Sequence, residues 1–558
     1  MLQKTPEHVK RFFNTRQSSI PQAYLIAGVI LWLVAGLFLP VVAKENRLEA
    51  KLVDAATGQP LAARVALTNP DGRFLEIDGK HEHVFYLSKR WCYVNGSFTA
   101  SFPASGAIIE IRRGLETRPF TDRISCPLLS KRLEKTFKLR RWTDMHAKGF
   151  ESGDIHAHVP LPEEAHREML AEDLNDVALL STEIAGCPTT KLFTGKIDWN
   201  STPGCELYIG EEIFDWQMGH LTLLGLNQMV TGFPSMGGTF MMLSSAPHWD
   251  VLRAAKAAHE QHGVVGLSHF SNLPGAESPI GVALGLVDIL EIMVFNDPTQ
   301  LPSHWDPWKN SGMSQAEFPI LRGIDLYYQY LNAGFRLPIA AGTDKGRDEL
   351  PLGSNRTYAP VGGSGGFDKW LASVKAGTGF VTNGPILEFE VDGQTPGNSV
   401  EFQGVKQGKA RVKASSILPF NTIEIIMNGD VIATKTISSQ NSSGLPNTFT
   451  AKDGVYSMEL ETTVELSRSS WLAARVADHP NLRNYILPRN LSVFAHTNPI
   501  YFIKEGHKVR EEASIAYLRK YVKGVMHWLS TKPEFTKEED RQTTEKAAAE
   551  ALKIYEGL

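Results

Sequence analysis

One stretch of this 558-residue chain constrains it more than any other: Ala23 to Ala43 is uncharged and almost wholly apolar. At about 1.5 Å per residue in a helix, the run can cross a bilayer core of roughly 30 Å. Lys4, Lys10, Arg11 and Arg16 precede it, opposed only by Glu7. Positive charge on that side keeps the leader in the cytoplasm and sends the remainder across. The reading is a basic cytoplasmic leader (1–22), then a transmembrane anchor or signal peptide (23–43) with Val41-Val42-Ala43 as a small-residue cleavage site. The rest is exported. It faces the periplasm or exterior if anchored, and is secreted if the segment is cleaved. No second stretch is long and apolar enough to span.

The length exceeds what one ordinary core supports, so several domains are expected. Hydrophobic residues at 42% and charged residues at 21% are the balance of a folded globular protein. A net charge of −4 and no long basic run argue against a nucleic-acid partner. Four cysteines in an exported chain permit two disulfides, with Cys92–Cys126 and Cys187–Cys205 as the local pairings. Four buried thiols are the alternative, and the spacing suits no zinc knuckle.

The texture changes twice along the chain. Residues 45–140 alternate in short runs broken by TG and DG turn signals, which predicts a small β-sandwich. From 142 to 395, strand-like runs such as "DVALLST", "HLTLLGL" and "GVVGLSHF" alternate with helical ones such as "PEEAHREMLAEDLN" and "WDVLRAAKAAHEQH". Such alternation predicts a parallel sheet or barrel, with chemistry at the C-terminal strand ends. Residues 396–507 return to β patterning, including an NGD hairpin turn in "NTIEIIMNGDVIATKTI", and predict a second sandwich. Residues 508–558 read as a helical tail whose last segment is a surface helix.

The chemistry-bearing residues start at Gly153-Asp154-Ile155-His156-Ala157-His158. Residues two apart on a strand share a face, so His156 and His158 can reach one metal. Glu211 and Glu212 lie in "GEEI", and His220 opens "LTLLGL". His269 and Asp344 each follow an apolar run, "GVVGL" and "RLPIAA". Imidazoles and carboxylates at successive strand ends suit zinc, manganese or iron. No G-x-S-x-G elbow or catalytic cysteine setting is present.

The run "SGDIHAH … GEEI … GH … LSHF … LEIMVFN … AGTDKG … GFVTNGP" resembles the polymerase-and-histidinol-phosphatase (PHP) superfamily, and within it the carbaryl-hydrolase-like, CehA/McbA-type branch. The resemblance implies a multidomain chain: a distorted α/β (β/α)7 barrel flanked by N-terminal and C-terminal β-sandwiches. It implies that His156, His158, Asp344 and Glu212, with Glu211 as fallback, hold one metal. Glu212 would bridge to a second metal held by His220 and His269. Glu291 and Asn296 match an E-x-x-x-x-N region behind the ligands or against substrate. Thr182 and Glu183 stand where many members carry Asp-His, and Lys345-Gly346 where many carry a histidine two residues after the last aspartate. His166 and Glu164 are poorly placed substitutes, so one or two divalent ions (Zn, Mn or Fe) are expected rather than three.

The function implied is metal-assisted hydrolysis of a small-molecule ester, carbamate or phosphoester, with Lys345 stabilising the developing anion. A membrane-tethered binding module with a structural or degenerate metal site is the alternative.

Overall fold

The computed structural model describes residues 45–558 apart from residues 80, 184–187, 216–217, 234–246, 271–274, 295–322, 347–349, 438–453, 479–486, 488–490 and 532–533. The basic leader and the apolar run Ala23–Ala43 therefore lie outside the described residues, as do Asn296 and Cys187. Among the described residues no helix is long and apolar enough to cross a membrane.

The N-terminal region is two sheets around one core. In the strand Asn46–Asp54, Leu48, Ala50 and Leu52 turn inward while Arg47 and Lys51 face out, the two-residue period of a half-buried strand. It pairs antiparallel with Ser97–Phe102 and parallel with Arg132–Leu139. A five-stranded sheet, in the order His83–Tyr86, Lys89–Asn95, Ala62–Thr68, Ala107–Arg112, Phe120–Ile124, faces it. Val65, Ile109 and Cys92 from this sheet share a core with Leu48, Leu52 and Phe137.

The expected Cys92–Cys126 disulfide is not formed, and Cys92, Cys126 and Cys205 are free thiols. Two strands intervene between the one that carries Cys92 and the one that precedes Cys126. At about 4.8 Å per strand that separation is roughly 14 Å, twice the Cα reach of a disulfide.

The centre of the molecule corrects the barrel expectation. A ring of seven parallel strands, each followed by a helix, is not what the chain builds. The strands form one mixed, fifteen-stranded sheet. Asp176–Leu180 is parallel to both Phe150–Ala157 and Glu206–Asp215. Glu206–Asp215 then turns back antiparallel onto Gly219–Leu224, which pairs antiparallel with Val264–Leu267. Ile289–Met293 and Ile339–Ala341 continue in parallel. On the other side, Phe150–Ala157 pairs antiparallel with Arg356–Pro360, and that strand with Phe380–Thr382. Two antiparallel turns and the scarcity of intervening helices make the architecture multidomain and β-rich. Apolar runs such as "HLTLLGL" do not say whether a strand runs with or against its neighbour, which is why the alternation misled.

Hydrogen bonding also runs across residue 396. Phe380–Thr382 pairs with Phe494–Thr497, which continues through Ser470–Ala477 to the hairpin of Thr422–Met427 and Asp430–Thr436. A separate sheet of Ile386–Val391, Lys406–Ser416 and Tyr456–Leu466 covers this extension, and Phe389, Val412 and Ile425 fill the space between. The C-terminal helices Glu512–Thr531 and Glu538–Gly557 are not a solvated tail. Leu518, Val522, Ala548, Ala551 and Tyr555 are buried in the core that includes Ile213 and Leu290.

Where helices do form, local signals explain them. Pro162 stands in the first turn of Pro162–Ala171, followed by Glu163 and Glu164 at its positive end. Asp250 caps Val251–Glu260 by accepting the Arg253 N–H at 3.2 Å.

Candidate metal centre

Six side chains from five places in the sequence meet at one end of the central sheet, all buried. His156 lies near the end of Phe150–Ala157, with His158 just beyond it. Their Nε2 atoms are 3.2 Å apart. Glu212 reaches them from the next parallel strand but one, with Oε2 3.1 Å from His158 Nε2 and Oε1 3.6 Å from His156 Nε2. Asp344 Oδ1 lies 3.4 Å from His158 Nε2 and 3.6 Å from His156 Nε2. His269 Nε2 is 3.0 Å from Asp344 Oδ2 and 3.6 Å from Glu212 Oε1. His220 Nδ1 is 3.2 Å from the same Glu212 oxygen.

Strand geometry decides which acid takes part. Glu211 and Glu212 point to opposite faces, as neighbours on a strand must. Glu211 turns away and accepts the Val230 N–H at 2.8 Å, and burial pushes its carboxyl up to about 7. The antiparallel register sets Glu212 opposite Thr222 and Phe214 opposite His220, so Glu212 and His220 are diagonal neighbours on one face.

The second nitrogens of the two opening histidines fix how those rings are presented. His158 Nδ1 lies 3.3 Å from the Leu180 carbonyl, which can only accept, so Nδ1 carries the proton. His156 Nδ1 lies 3.0 Å from Glu291 Oε2 and takes a proton likewise. The two Nε2 atoms face each other across 3.2 Å, and His158 Nε2 also lies 3.1 Å from Glu212 Oε2. Two lone pairs in that position repel unless a proton or a cation stands between them. Glu291 also accepts the His269 N–H at 2.8 Å, tying both histidines to one carboxylate.

The donor set fits a metal. An ion with ligands at about 2.0–2.1 Å in tetrahedral or octahedral array sets neighbouring ligand atoms roughly 2.8–3.4 Å apart. The separations here run from 3.0 to 3.6 Å. Two triads, His156–His158–Asp344 and His156–Glu212–His269, each bring their ligand atoms within 4.8 Å of one another. Electrostatics points the same way. Burial alone would depress His156, yet Glu291, Asp344 and Glu212 hold its imidazolium well above the usual histidine range. Burial would raise Glu212, but His156, His158 and His220 hold it well below the carboxylate range. Asp344 is held at about 2, against burial, by the charge of His156 and a hydrogen bond from His269. Burial lowers His220. These carboxylates stay ionised only with positive charge among them, which protonated histidine supplies and a divalent cation could supply in its place.

Two of the six side chains sit on strained backbone. His269 and Asp344 sit at φ +50° and +44°, left-handed values that cost non-glycine residues on the order of 1–3 kcal/mol. The Asp344 N–H is held by the His156 carbonyl at 2.7 Å. Gly342 allows the close approach: a Cβ there would stand 2.4 Å from Glu291 Oε1 and 2.5 Å from His156 Cβ.

Other residues singled out in the sequence lie elsewhere. The Lys345 ammonium, 1% exposed, donates to Glu168 Oε1 and Oε2 at 3.1 and 2.9 Å and to the Leu350 carbonyl at 2.8 Å. The Lys345 carbonyl accepts the His158 and Val159 N–H groups. His166 Nε2 is 3.0 Å from Thr202 Oγ1, away from the cluster. Thr182 is buried with its N–H on Thr189 Oγ1, while Glu183 is exposed. Glu164 is half-buried on the helix Pro162–Ala171.

Asp154 is the residue that motif reading passed over. It accepts the His156 N–H at 3.0 Å, the Thr343 N–H at 3.0 Å, the Thr343 hydroxyl at 2.6 Å and the Gly353 N–H at 2.9 Å. Burial pushes its carboxyl up to about 6 against those bonds. It thereby joins the first histidine strand to the loop of Asp344. The two-residue strand period already put Asp154 on the face of His156 and His158.

No family model matches the chain, and no curated protein matches it. Among solved structures, the crystal structure of PsfC from Pseudomonas syringae PB-5123 is 11% identical, with 41% of this chain and 90% of that chain covered and a TM-score of 0.26. A likeness that slight carries no argument, and none of these comparisons supports the family resemblance of the motifs.

Proposed function

We propose that this chain is a metal-dependent hydrolase holding one or two divalent cations among His156, His158, Glu212, His220, His269 and Asp344. The observation that carries the proposal is the facing pair of imidazole Nε2 atoms, 3.2 Å apart, with Nδ1 of one ring on a carbonyl and of the other on a carboxylate. A divalent cation, when bound, brings the pKa of water down toward roughly 7 and polarises a substrate oxygen, the chemistry of ester, carbamate or phosphoester cleavage.

The protein's own groups do the orienting. Glu291 and the Leu180 carbonyl fix the His156 and His158 rings. Asp154, through Thr343, fixes the loop that presents Asp344. Glu212, a member of one triad with an oxygen 3.1 Å from His158 of the other, would help to hold an ion at either. Asp344 is held ionised by His156 and His269, as a ligand to a cation requires. Lys345 is committed to Glu168 and acts by positioning the His158 backbone. The Ala23–Ala43 run supports an exported site, on the periplasmic or outer side of a membrane.

The test is elemental analysis of protein purified without chelator, with p-nitrophenyl esters and phosphates as probes under added zinc or manganese. Bound metal with turnover is expected. Bound metal without turnover on any of them makes the protein a metal-containing binding module. Absence of metal after zinc and manganese loading refutes the reading.

A further inference from the structure

Leu128 and Leu129, in the N-terminal region, are 100% and 99% exposed. They are the two central residues of a turn closed by the Ser130 N–H on the Pro127 carbonyl at 2.9 Å. Such positions ordinarily hold Gly, Asn, Asp, Ser or Pro, because they project furthest into water. Scattered exposed leucines need no explanation, but an adjacent pair at the tip of a turn asks for an apolar partner.

The position of the turn identifies that partner. The Arg47 N–H donates to the Lys131 carbonyl at 2.7 Å, and Arg47 pairs with Arg132 in the parallel ladder. The two leucines thus stand beside the start of the strand Asn46–Asp54, three residues after the apolar run ends at Ala43. Lys131 and Arg132 follow the turn, Arg47 lies beside Arg132 in the ladder, and Lys44 is near in sequence. The Arg47 and Arg132 side chains are partly exposed and each pairs with a carboxylate, Arg47 with Asp78 and Arg132 with Glu49, both at 2.5 Å. Apolar tips beside long basic side chains are how proteins rest in a bilayer interface.

We propose that the Pro127–Ser130 turn is a second membrane contact. Leu128 and Leu129 enter the lipid beside the Ala23–Ala43 segment, and Arg47, Lys131 and Arg132 lie at headgroup level. The inference rests on reading Ala23–Ala43 as a membrane segment and is independent of the metal centre. Two contacts orient the N-terminal sheets against the bilayer, whereas one flexible join would let them pivot.

The experiment uses the full chain reconstituted in phosphatidylcholine–phosphatidylglycerol vesicles, in a background where Cys126→Ser and Cys187→Ser leave only buried native thiols. An environment-sensitive NBD fluorophore is placed at Leu129→Cys, and at Ala56→Cys as control. Ala56 lies beyond the far end of the Asn46–Asp54 strand, roughly 25 Å away at about 3.3 Å per residue. Lipids carrying a shallow doxyl quencher should quench the Leu129→Cys probe at least about threefold more than the control, with blue-shifted emission. Adding Leu128→Asp should remove that difference. Equal quenching at both positions overturns the proposal. Flotation of the vesicles reports the Ala23–Ala43 segment separately: a chain that floats with an unquenched turn rejects the turn alone, and one that does not float rejects both. A blue shift that follows protein concentration but ignores the quencher assigns the turn to a second copy of the chain and likewise overturns the proposal.

Discussion

Asp344 and Lys345 are adjacent in sequence, and both are buried, yet their charges are met in opposite ways. The Lys345 ammonium has three donors and three acceptors, two on Glu168 and one on the Leu350 carbonyl. Nothing further is needed there. Asp173 is satisfied similarly, between the guanidinium groups of Arg113 and Arg141. Those two hold its carboxyl at about 2 although burial alone would raise it. Asp344 instead faces imidazoles, as does Glu212. Imidazoles supply charge only when protonated, and the Nε2 atoms of two of these rings face each other at 3.2 Å. The lesson is that a buried ion pair closed by Lys or Arg is finished structure, while a buried carboxylate group closed by histidines is held by protons that a cation can replace.

That contrast can be broken most forcefully at His269. His269→Ala should lower hydrolysis of the best p-nitrophenyl probe by about a thousandfold or more, and metal content should fall, while the circular-dichroism spectrum persists. Full activity in the variant refutes the ligand assignment. On the other side of the comparison, Lys345→Met leaves Glu168 buried without its cation. The expected cost is about 3–5 kcal/mol in denaturant unfolding, with metal retained in the molecules that fold. Loss of activity at full stability would instead give Lys345 a direct chemical role. Glu291→Gln tests the orienting carboxylate between these extremes. Metal affinity should drop by about 10–100-fold by titration against a competing chelator, without global unfolding.

The smallest effect concerns a histidine with no share in the cluster. Burial, with Arg475 nearby, pushes His496 down to about 3, and the Tyr328 hydroxyl lies 2.7 Å from its Nε2. Because the folded value is depressed, the unfolded chain gains a proton that the fold refuses. This stability is present above pH 6.5 and is lost as pH falls from there toward 3. Between pH 7 and pH 5 the loss is about 2 kcal/mol, a few degrees in Tm. His496→Gln should flatten that part of the thermal pH profile; an unchanged profile would show that His496 titrates normally.

The cluster was far more legible than the fold around it. His156 and His158 declared themselves by strand alternation, and His269 and Asp344 by following apolar runs. Glu211 and Glu212 were indistinguishable until the strand assigned each a face. Asp154 shares the face of His156 and His158, but its tie to the Asp344 loop joins residues 189 apart and is not legible in the sequence. The barrel expectation failed where the sequence is silent, at Glu206–Asp215 and Gly219–Leu224, whose antiparallel pairing is set by tertiary contacts. The Cys92–Cys126 pairing failed for the same reason, since distance in sequence says nothing of the two strands that lie between.

What the sequence determined by itself is local: which runs are apolar, where turns and caps fall, and which residue types are available to ligate. Periodicity and short-range sterics control those features, and they depend on neighbours within a few residues. Only the tertiary structure decided strand direction, the sheet that runs unbroken across residue 396, the burial of the C-terminal helices, and the commitment of Lys345 to Glu168. Each depends on which distant surface buries a given face and on whether a buried charge finds its partner, and both are settled by the packing of the whole chain.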